Sequence, residues 1–290
     1  MFEKMTWRRQ LSTQLMLAFA SLFVVLPVLW MLRLAFDGTL SGISSGTGRP
    51  KDSGLVPVQW STENFQLAWN SPTTSTTLLG LLGNSLIVAG GTALLSLVCG
   101  ITAGYAFARY SFPGRKPALF MTLVLLTLPP AGLTAPFFIF LNDLKIRDSL
   151  LSLILVYSAI AVPFAIWTVR NAIQVVPPEL EEAAMLEGGG ITRVFRSITL
   201  PLILPSVAVA GFISFTLAWS EFALGWVFIS TPHNVTLAMA LYAMRGASGV
   251  AWGPLAATAL IVILPVLALF YLLGRYVISG LTLGTATIEE

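Results

Sequence analysis

Charge is what this chain has least of. Of its 290 residues, 16 are Lys or Arg and 13 are Asp or Glu, 10% in all, against roughly 25% in an ordinary soluble domain. There is one cysteine, Cys99, and one histidine, His233. A single thiol excludes an intrachain disulfide. One His, one Cys and no H-x-x-x-H spacing leave neither a metal-ligand cluster nor a nucleophile with its base, so the chain offers no enzyme's constellation. No G-x-x-x-x-G-K-[ST] stretch occurs either. The lone Gly-Arg-Lys at Gly114 to Lys116 lies beside an apolar segment, and nothing in the chain is built to cradle a nucleotide.

What is present is hydrocarbon, at 56% hydrophobic residues and a mean hydropathy of +0.84. Leu11 to Leu32, Pro117 to Asn142, Ser149 to Val169, Ser197 to Ser220 and Gly246 to Gly274 contain no charged residue, and a longer uncharged stretch ends at Ala108. A bilayer needs about 20 such residues per helical span. The reading is an all-α polytopic membrane protein with six transmembrane helices. The apolar run after Arg9 is too long for a signal-peptide core and no A-x-A-like site follows it, so the helix at 11–32 is read as retained.

Orientation follows from where Lys and Arg fall. With the N-terminus inside, ten lie on inner segments, including Lys4, Arg8, Arg9, Arg109, Arg115 and Lys116, and six on outer ones. That is the positive-inside bias, and it puts both termini in the cytoplasm. It also gives the net charge of +3 a meaning other than nucleic-acid binding, which is not expected. The organisation is then a cytoplasmic N-terminus at 1–10, the first span at 11–32, an extracytoplasmic loop at 33–77 and a core at 78–290. "DGTLSGISSGTGRPKDSG" in that loop reads as flexible. Between Phe222 and Met244, "STPHN" cuts an uncharged stretch into pieces too short to cross.

One stretch breaks the pattern. "ELEEAAMLEGGGITRVFRSITLPLILP", Glu179 to Pro205, holds four of the thirteen acidic residues and two of the sixteen basic ones. Pro177 and Pro178 suit the start of a helix, because a first-turn proline has no intrahelical donor to lose. Glu179, Glu181 and Glu182 place negative charge at the positive end of its dipole. Leu180, Ala183, Ala184 and Glu187 share a narrow face, and Gly188, Gly189 and Gly190 end the helix. Thr192 is positioned to cap a second short helix that Pro201 and Pro205 close. Two readings are open: an amphipathic loop lying on lipid, or a helix-turn-helix knob for a socket on a soluble partner. Three clustered carboxylates argue against anionic lipid.

The spacing "EAAMLEG", nine residues, then "ITLP" resembles the EAA loop of permease subunits in bacterial ATP-binding-cassette importers, with Glu182, Ala183, Ala184, Gly188, Ile198, Leu200 and Pro201 on the motif. "NSLIVAGGTALLSLVCGITAGYAFARYSFPGRK", "TLPP" with "PFFIF", "AWSEF" and "GRYVISGLTLG" extend the resemblance to the carbohydrate branch, maltose-type second permease subunit, from about Thr62 to Gly284. It departs at Glu187, Gly189, Ser220 and the tail "TATIEE". The resemblance implies a type I importer permease fold in a bacterial inner membrane, with the 177–205 loop coupling to an ATPase dimer and Glu182 as the salt-bridge residue. It also implies a second homologous permease subunit and an extracytoplasmic sugar-binding protein as partners, alongside membrane lipid. No cofactor is held by this chain, since ATP and Mg belong to the ATPase. Maltose or maltodextrin leads as cargo, with trehalose, other sugars and glycerol phosphate behind it.

The path for cargo is less legible. Asn84, Thr127, Ser158, Ser214, Thr216, Ser220 and Glu221 are the polar residues inside the spans, most of them explained by helix packing. Asn84, Ser220 and Glu221 are taken forward as path candidates, Glu221 because an ionisable residue near the end of a span is functional by default. Trp219 and Trp226 flank it and read as an aromatic belt at the membrane surface. Pro129 and Pro130 are expected to kink the third span. Two other classes stand beside the importer: an ion-coupled carrier, for which Glu221 alone is a thin basis, and a membrane enzyme, for which no constellation exists.

Overall fold

The computed structural model describes residues 7–40, 54–70, 76–244 and 250–283. Their regular structure is helical: α1 (Trp7–Phe36), α2 (Glu63–Asn70), α3 (Leu78–Arg109), α4 (Arg115–Thr127), α5 (Thr134–Asp143), α6 (Leu150–Val175), α7 (Pro178–Leu186), α8 (Ile191–Val194), α9 (Leu200–Ser220), α10 (Ala223–Phe228), α11 (Leu237–Ala243) and α12 (Trp252–Leu283). Among the described residues the one β contact is an isolated antiparallel bridge between Asp37 and Trp60.

Five stretches are long and apolar enough to cross a bilayer: Gln10–Phe36, Leu78–Arg109, Leu150–Val175, Ile191–Ser220 and Trp252–Gly274. The sixth expected span differs from the rest. Instead of a kink at Pro129 and Pro130 it is broken, with Arg115–Thr127 and Pro130–Asp143 bent by 104°. Two consecutive prolines remove two donors, and each forces the residue before it out of the helical region. Leu128 and Pro129 are accordingly extended, at ψ 128° and 126°. Residues 223–243 form only two short helices around a turn at Pro232–Asn234, so no seventh span exists there.

The chain divides into two units, the first holding residues 1–78 and 243–263. Its core gathers Leu34, Ala35, Ala68, Ala256 and Ala257, with Trp30, Met31 and Phe65 packed against them. The expected flexible loop at 33–77 is folded where it is described, while 41–53 and 71–75, with most of its Gly/Ser-rich run, lie outside the described residues. α1 runs four residues past the expected Leu32 to Phe36. Its last carbonyls would be unpaired. Fully buried Asn64 donates its amide to the carbonyls of Leu34, Ala35 and Asp37 at 3.4, 3.1 and 2.9 Å. Gly253 lies so close to that amide that a side chain would collide with it.

The second unit holds residues 79–242 and 264–290. α3 lies tightly on α6, since a Cβ on Gly100 would come within 2.6 Å of that of Ala165 and one on Gly91 within 2.7 Å of Ile154. α6 meets α9 through buried Val169, Ile173, Val176, Ile203 and Val207. Trp219 is buried, stacked on Phe215 at 5.5 Å, which corrects its placement in a surface belt; Trp226 is half exposed. A polar clasp fixes the 230–237 turn. Asp148, at φ 66°, accepts from the backbone N–H groups of Ser230 and Thr231 at 2.8 Å and from the Thr231 hydroxyl at 2.6 Å. Burial raises the Asp148 pKa, but these bonds outweigh it and hold the carboxyl below its usual range.

A buried carboxylate anchors a helical knob

α7 begins where expected. Pro177, at φ −57° and ψ 126°, precedes it, Pro178 occupies its first turn, and Glu179 and Glu181 stand in that turn. Its end is a glycine turn with two reverse bonds: Gly188 N–H to the Met185 carbonyl at 3.0 Å and Gly189 N–H to the Ala184 carbonyl at 3.0 Å. That pairing needs a left-handed residue at its first position, and Gly188 supplies it at φ 88°. Gly189 is required for space, because a Cβ there would sit 2.7 Å from the Ala184 carbonyl oxygen.

The second arm differs from its expected form. Gly190, not Thr192, precedes α8, and no side chain caps it. Nor do the prolines close a separate helix. α8 passes through one wide turn, Phe195–Thr199, in which the Leu200 N–H reaches back five residues to Phe195, and continues directly into α9. Pro201 falls in the first turn of α9 and Pro205 inside it. A wide turn is where a helix absorbs a missing donor and a ring clash.

Glu181 is 4% exposed and binds three side chains at once, two from α3 and one from the wide turn. Arg109, the last residue of α3, donates Nε to its Oε2 and Nη2 to its Oε1, both at 3.1 Å. The Tyr105 hydroxyl lies 3.1 Å from Oε2, and the Thr199 hydroxyl donates to Oε1 at 2.6 Å. Arg109 also reaches the Val176 carbonyl at 2.9 Å, so the guanidinium spans the junction of α6 with α7. Burial raises the pKa of Glu181, but the hydrogen bonds from Thr199, Arg109 and Tyr105, with the Arg109 charge, outweigh it and hold the carboxyl below the usual range. Sequence reasoning placed Glu181 with its neighbours as a dipole partner and missed this role. The available signal was weak: Arg109 ends an apolar span, but the positive-inside bias already accounts for an arginine there.

The rest of the knob faces outward. Glu182 and Ala183 are exposed, Ala184 is half-buried, and Leu180, Met185 and Ile191 are 47%, 39% and 54% exposed. Leu186, at the tip, is 90% exposed. Ile198 and Leu200 are half-buried on the second arm, and Pro201 is exposed. The seven motif residues therefore occupy one contiguous element, with Gly188 at its turn.

The path candidates do not converge with it, and each has bonds of its own. The Asn84 amide donates to the His233 and Val235 carbonyls at 2.6 and 2.9 Å. Glu221 accepts from the Leu224 and Gly225 N–H groups at the start of α10 and from the Tyr157 hydroxyl at 2.6 Å. Ser220, exposed, bonds back to the Thr216 carbonyl at 2.9 Å. Of the others, Thr127 and Thr216 bond back to their own helices, at the Val124 and Phe212 carbonyls. The Ser158 hydroxyl reaches the Thr92 carbonyl at 3.5 Å, and the buried Ser214 hydroxyl has no hydrogen-bond partner among the described residues. No group of three or more His, Cys, Asp or Glu with metal-binding geometry occurs among the described residues.

Residues 96–282, which include the whole knob and its anchors Tyr105 and Arg109, match the family described as "Binding-protein-dependent transport system inner membrane component". The chain is 31% identical over 261 residues to the diacetylchitobiose uptake system permease protein DasC of Streptomyces coelicolor, covering 90% of this chain and 91% of that one. It is 28% identical over 264 residues to the trehalose transport system permease protein SugB of Mycobacterium tuberculosis, covering 90% and 92%. A bacterial ABC transporter involved in the import of the acidic polysaccharide alginate superposes with a TM-score of 0.73 at 16% identity, over 96% of this chain and 99% of that one. At that identity the likeness is one of fold, and the fold is that of an ABC importer permease.

Proposed function

The chain belongs to the family of binding-protein-dependent transport system inner membrane components, and from that premise we propose that it is a membrane subunit of an ATP-driven sugar importer whose knob at 178–200 seats on a separate ATPase dimer. It lines half of the translocation path with a second, homologous permease and receives cargo from an extracytoplasmic sugar-binding protein. Both of its termini lie in the cytoplasm, on the inner side of a bacterial membrane. Its cargo is a disaccharide or short oligosaccharide, the class to which maltose, trehalose and diacetylchitobiose belong.

The observation that carries the reading is the contrast within α7. Its Glu181 side is locked into α3 and the start of α9, while its Leu186 tip and Glu182 face stand free. An apolar tip with exposed carboxylates, outside the membrane and rigidly backed, suits a socket on a soluble partner better than a lipid surface. The proposed coupling is mechanical: closure of the ATPase dimer on ATP and Mg moves the knob, and the helices fused to it change between two packings.

The test is extraction in mild detergent followed by mass spectrometry of what stays bound, with and without a nucleotide trap. Retention of an ATPase and a second permease is the expected result. A lone or self-associated chain overturns the docking role and leaves the knob as a membrane-surface loop.

A further inference from the structure

At the far end of α1, residues 54–61 form a strap that is bonded along its length to the helix. The Arg33 side chain donates to the Val56 carbonyl at 3.3 Å, Asp37 accepts the Val58 N–H at 3.1 Å, the Gly38 N–H reaches the Gln59 carbonyl at 2.8 Å and the Ser61 N–H reaches the Phe36 carbonyl at 2.9 Å. These bonds use the polar edge of the strap and bury both charges, leaving Arg33 3% and Asp37 1% exposed. Pro57 is buried, and the other apolar side chains of the strap are turned outward. Leu55, Val56, Val58 and Trp60 are 52%, 67%, 60% and 70% exposed. From Gly54 to Thr62 there is no charged residue.

A soluble surface does not normally present that much contiguous hydrocarbon, and its level along the helix suggests what covers it. The uncharged run Leu11 to Leu32 is about 33 Å long at 1.5 Å per residue, which fills a hydrocarbon core of about 30 Å. Trp60 pairs with Asp37, about one turn beyond that run, and its ring lies 6.1 Å from that of Phe36. The strap therefore sits at the depth where headgroups meet acyl chains, the layer in which Trp is enriched.

We propose that the 54–61 strap is a lipid-facing interfacial anchor. It covers the Arg33–Asp37 pair so that neither charge meets the acyl boundary, and it inserts Leu55, Val58 and Trp60 into the outer layer of the bilayer, fixing the height of α1. The partner is the phospholipid interface itself. The inference rests on α1 spanning the membrane.

The test is site-directed spin labelling of the full chain in phospholipid vesicles, in a Cys99→Ser background that removes the only native thiol. Nitroxides are placed by Val58→Cys, by Gln66→Cys on the exposed polar side of α2, and by Leu22→Cys at mid-span. The expected result is that dissolved oxygen relaxes the Val58 label more than a water-soluble nickel chelate does, with the reverse at Gln66. Should Val58→Cys not insert, Leu55→Cys takes its place with the same expectation. A strap label as open to nickel as Gln66 overturns the proposal, and so does one shielded from both reagents, which marks a protein contact. The Leu22 label separates the premises: lipid-exposed Leu22 with a wet strap sinks the anchor alone, whereas nickel access at Leu22 sinks the span.

Discussion

Arg109 holds Glu181 by two parallel bonds of 3.1 Å, joining the last residue of α3 to the first turn of α7 across 72 positions of sequence. Removing one half of a buried pair leaves the other charge uncompensated, a loss of about 3–5 kcal/mol. Glu181→Ala should therefore lower the melting temperature of the detergent-solubilised protein well beyond the effect of Glu182→Ala, whose carboxylate is exposed. Equal melting temperatures for the two variants contradict the anchor.

The same carboxylate gives the anchor a pH signature. Its pKa is lowered in the folded chain, so its contribution is complete above the unfolded range near about 4.3 and drains away as the pH falls through the folded value. The melting-temperature gap between wild type and Glu181→Gln should stay constant from neutral pH to about 5 and narrow in stronger acid. A gap that widens on acidification reverses the sign and refutes the assignment.

Outward-facing knob residues should behave in the opposite way. Leu186→Ser and Glu182→Lys are expected to leave the melting temperature unchanged, within about 0.5 kcal/mol for surface substitutions, and to reduce retention of the ATPase in pull-down. Unchanged retention in both variants removes the tip and the carboxylate face from the contact.

Gly188 and Gly189 serve the turn for different reasons, and substitution separates them. Gly188→Asp places a side chain at φ 88° and costs roughly 1–2 kcal/mol of local backbone energy. Insertion should survive while sugar uptake falls in reconstituted vesicles; normal uptake would remove the turn from coupling. Gly189→Val drives a branched side chain into the Ala184 carbonyl, and protease cleavage near the knob should rise more than for Gly188→Asp.

The two tryptophans beside Glu221 are distinguished by burial. Trp219→Ala opens a cavity and should cost about 3–5 kcal/mol, whereas Trp226→Ala, on a half-exposed site, should shift the melting temperature little. Similar losses for both would place Trp226 in packing as well.

Much of this was legible because it depends on local rules. The apolar runs are sums over twenty residues, and Pro178 and Gly188 mark a helix start and stop by backbone chemistry alone, so α7 and its turn fall where the sequence placed them. What was not legible depends on partners distant in sequence. Whether Glu181 or Glu182 turns inward is decided by Arg109 and Thr199, and no periodicity within α7 distinguishes them. Glu221 stands out in sequence by its type and its place at the end of a span, but its bonds to Tyr157 and the α10 amides depend on a residue 64 positions away and were not legible. Pro201 and Pro205 read as stops, yet the wide turn at 195–199 carries the helix past them.

That continuity has an arithmetic consequence. Ile191–Ser220 is one helical rod of 30 residues, about 45 Å long at 1.5 Å per residue, with Arg193 near one end and Glu221 just past the other. Tilting a rod of that length by about 10° about its Ile191 end sweeps its Ser220 end through roughly 8 Å. A modest rotation at the knob is thus amplified into a larger displacement at the Ser220 end, in the measure that the wide turn at 195–199 and Pro205 transmit the motion instead of bending.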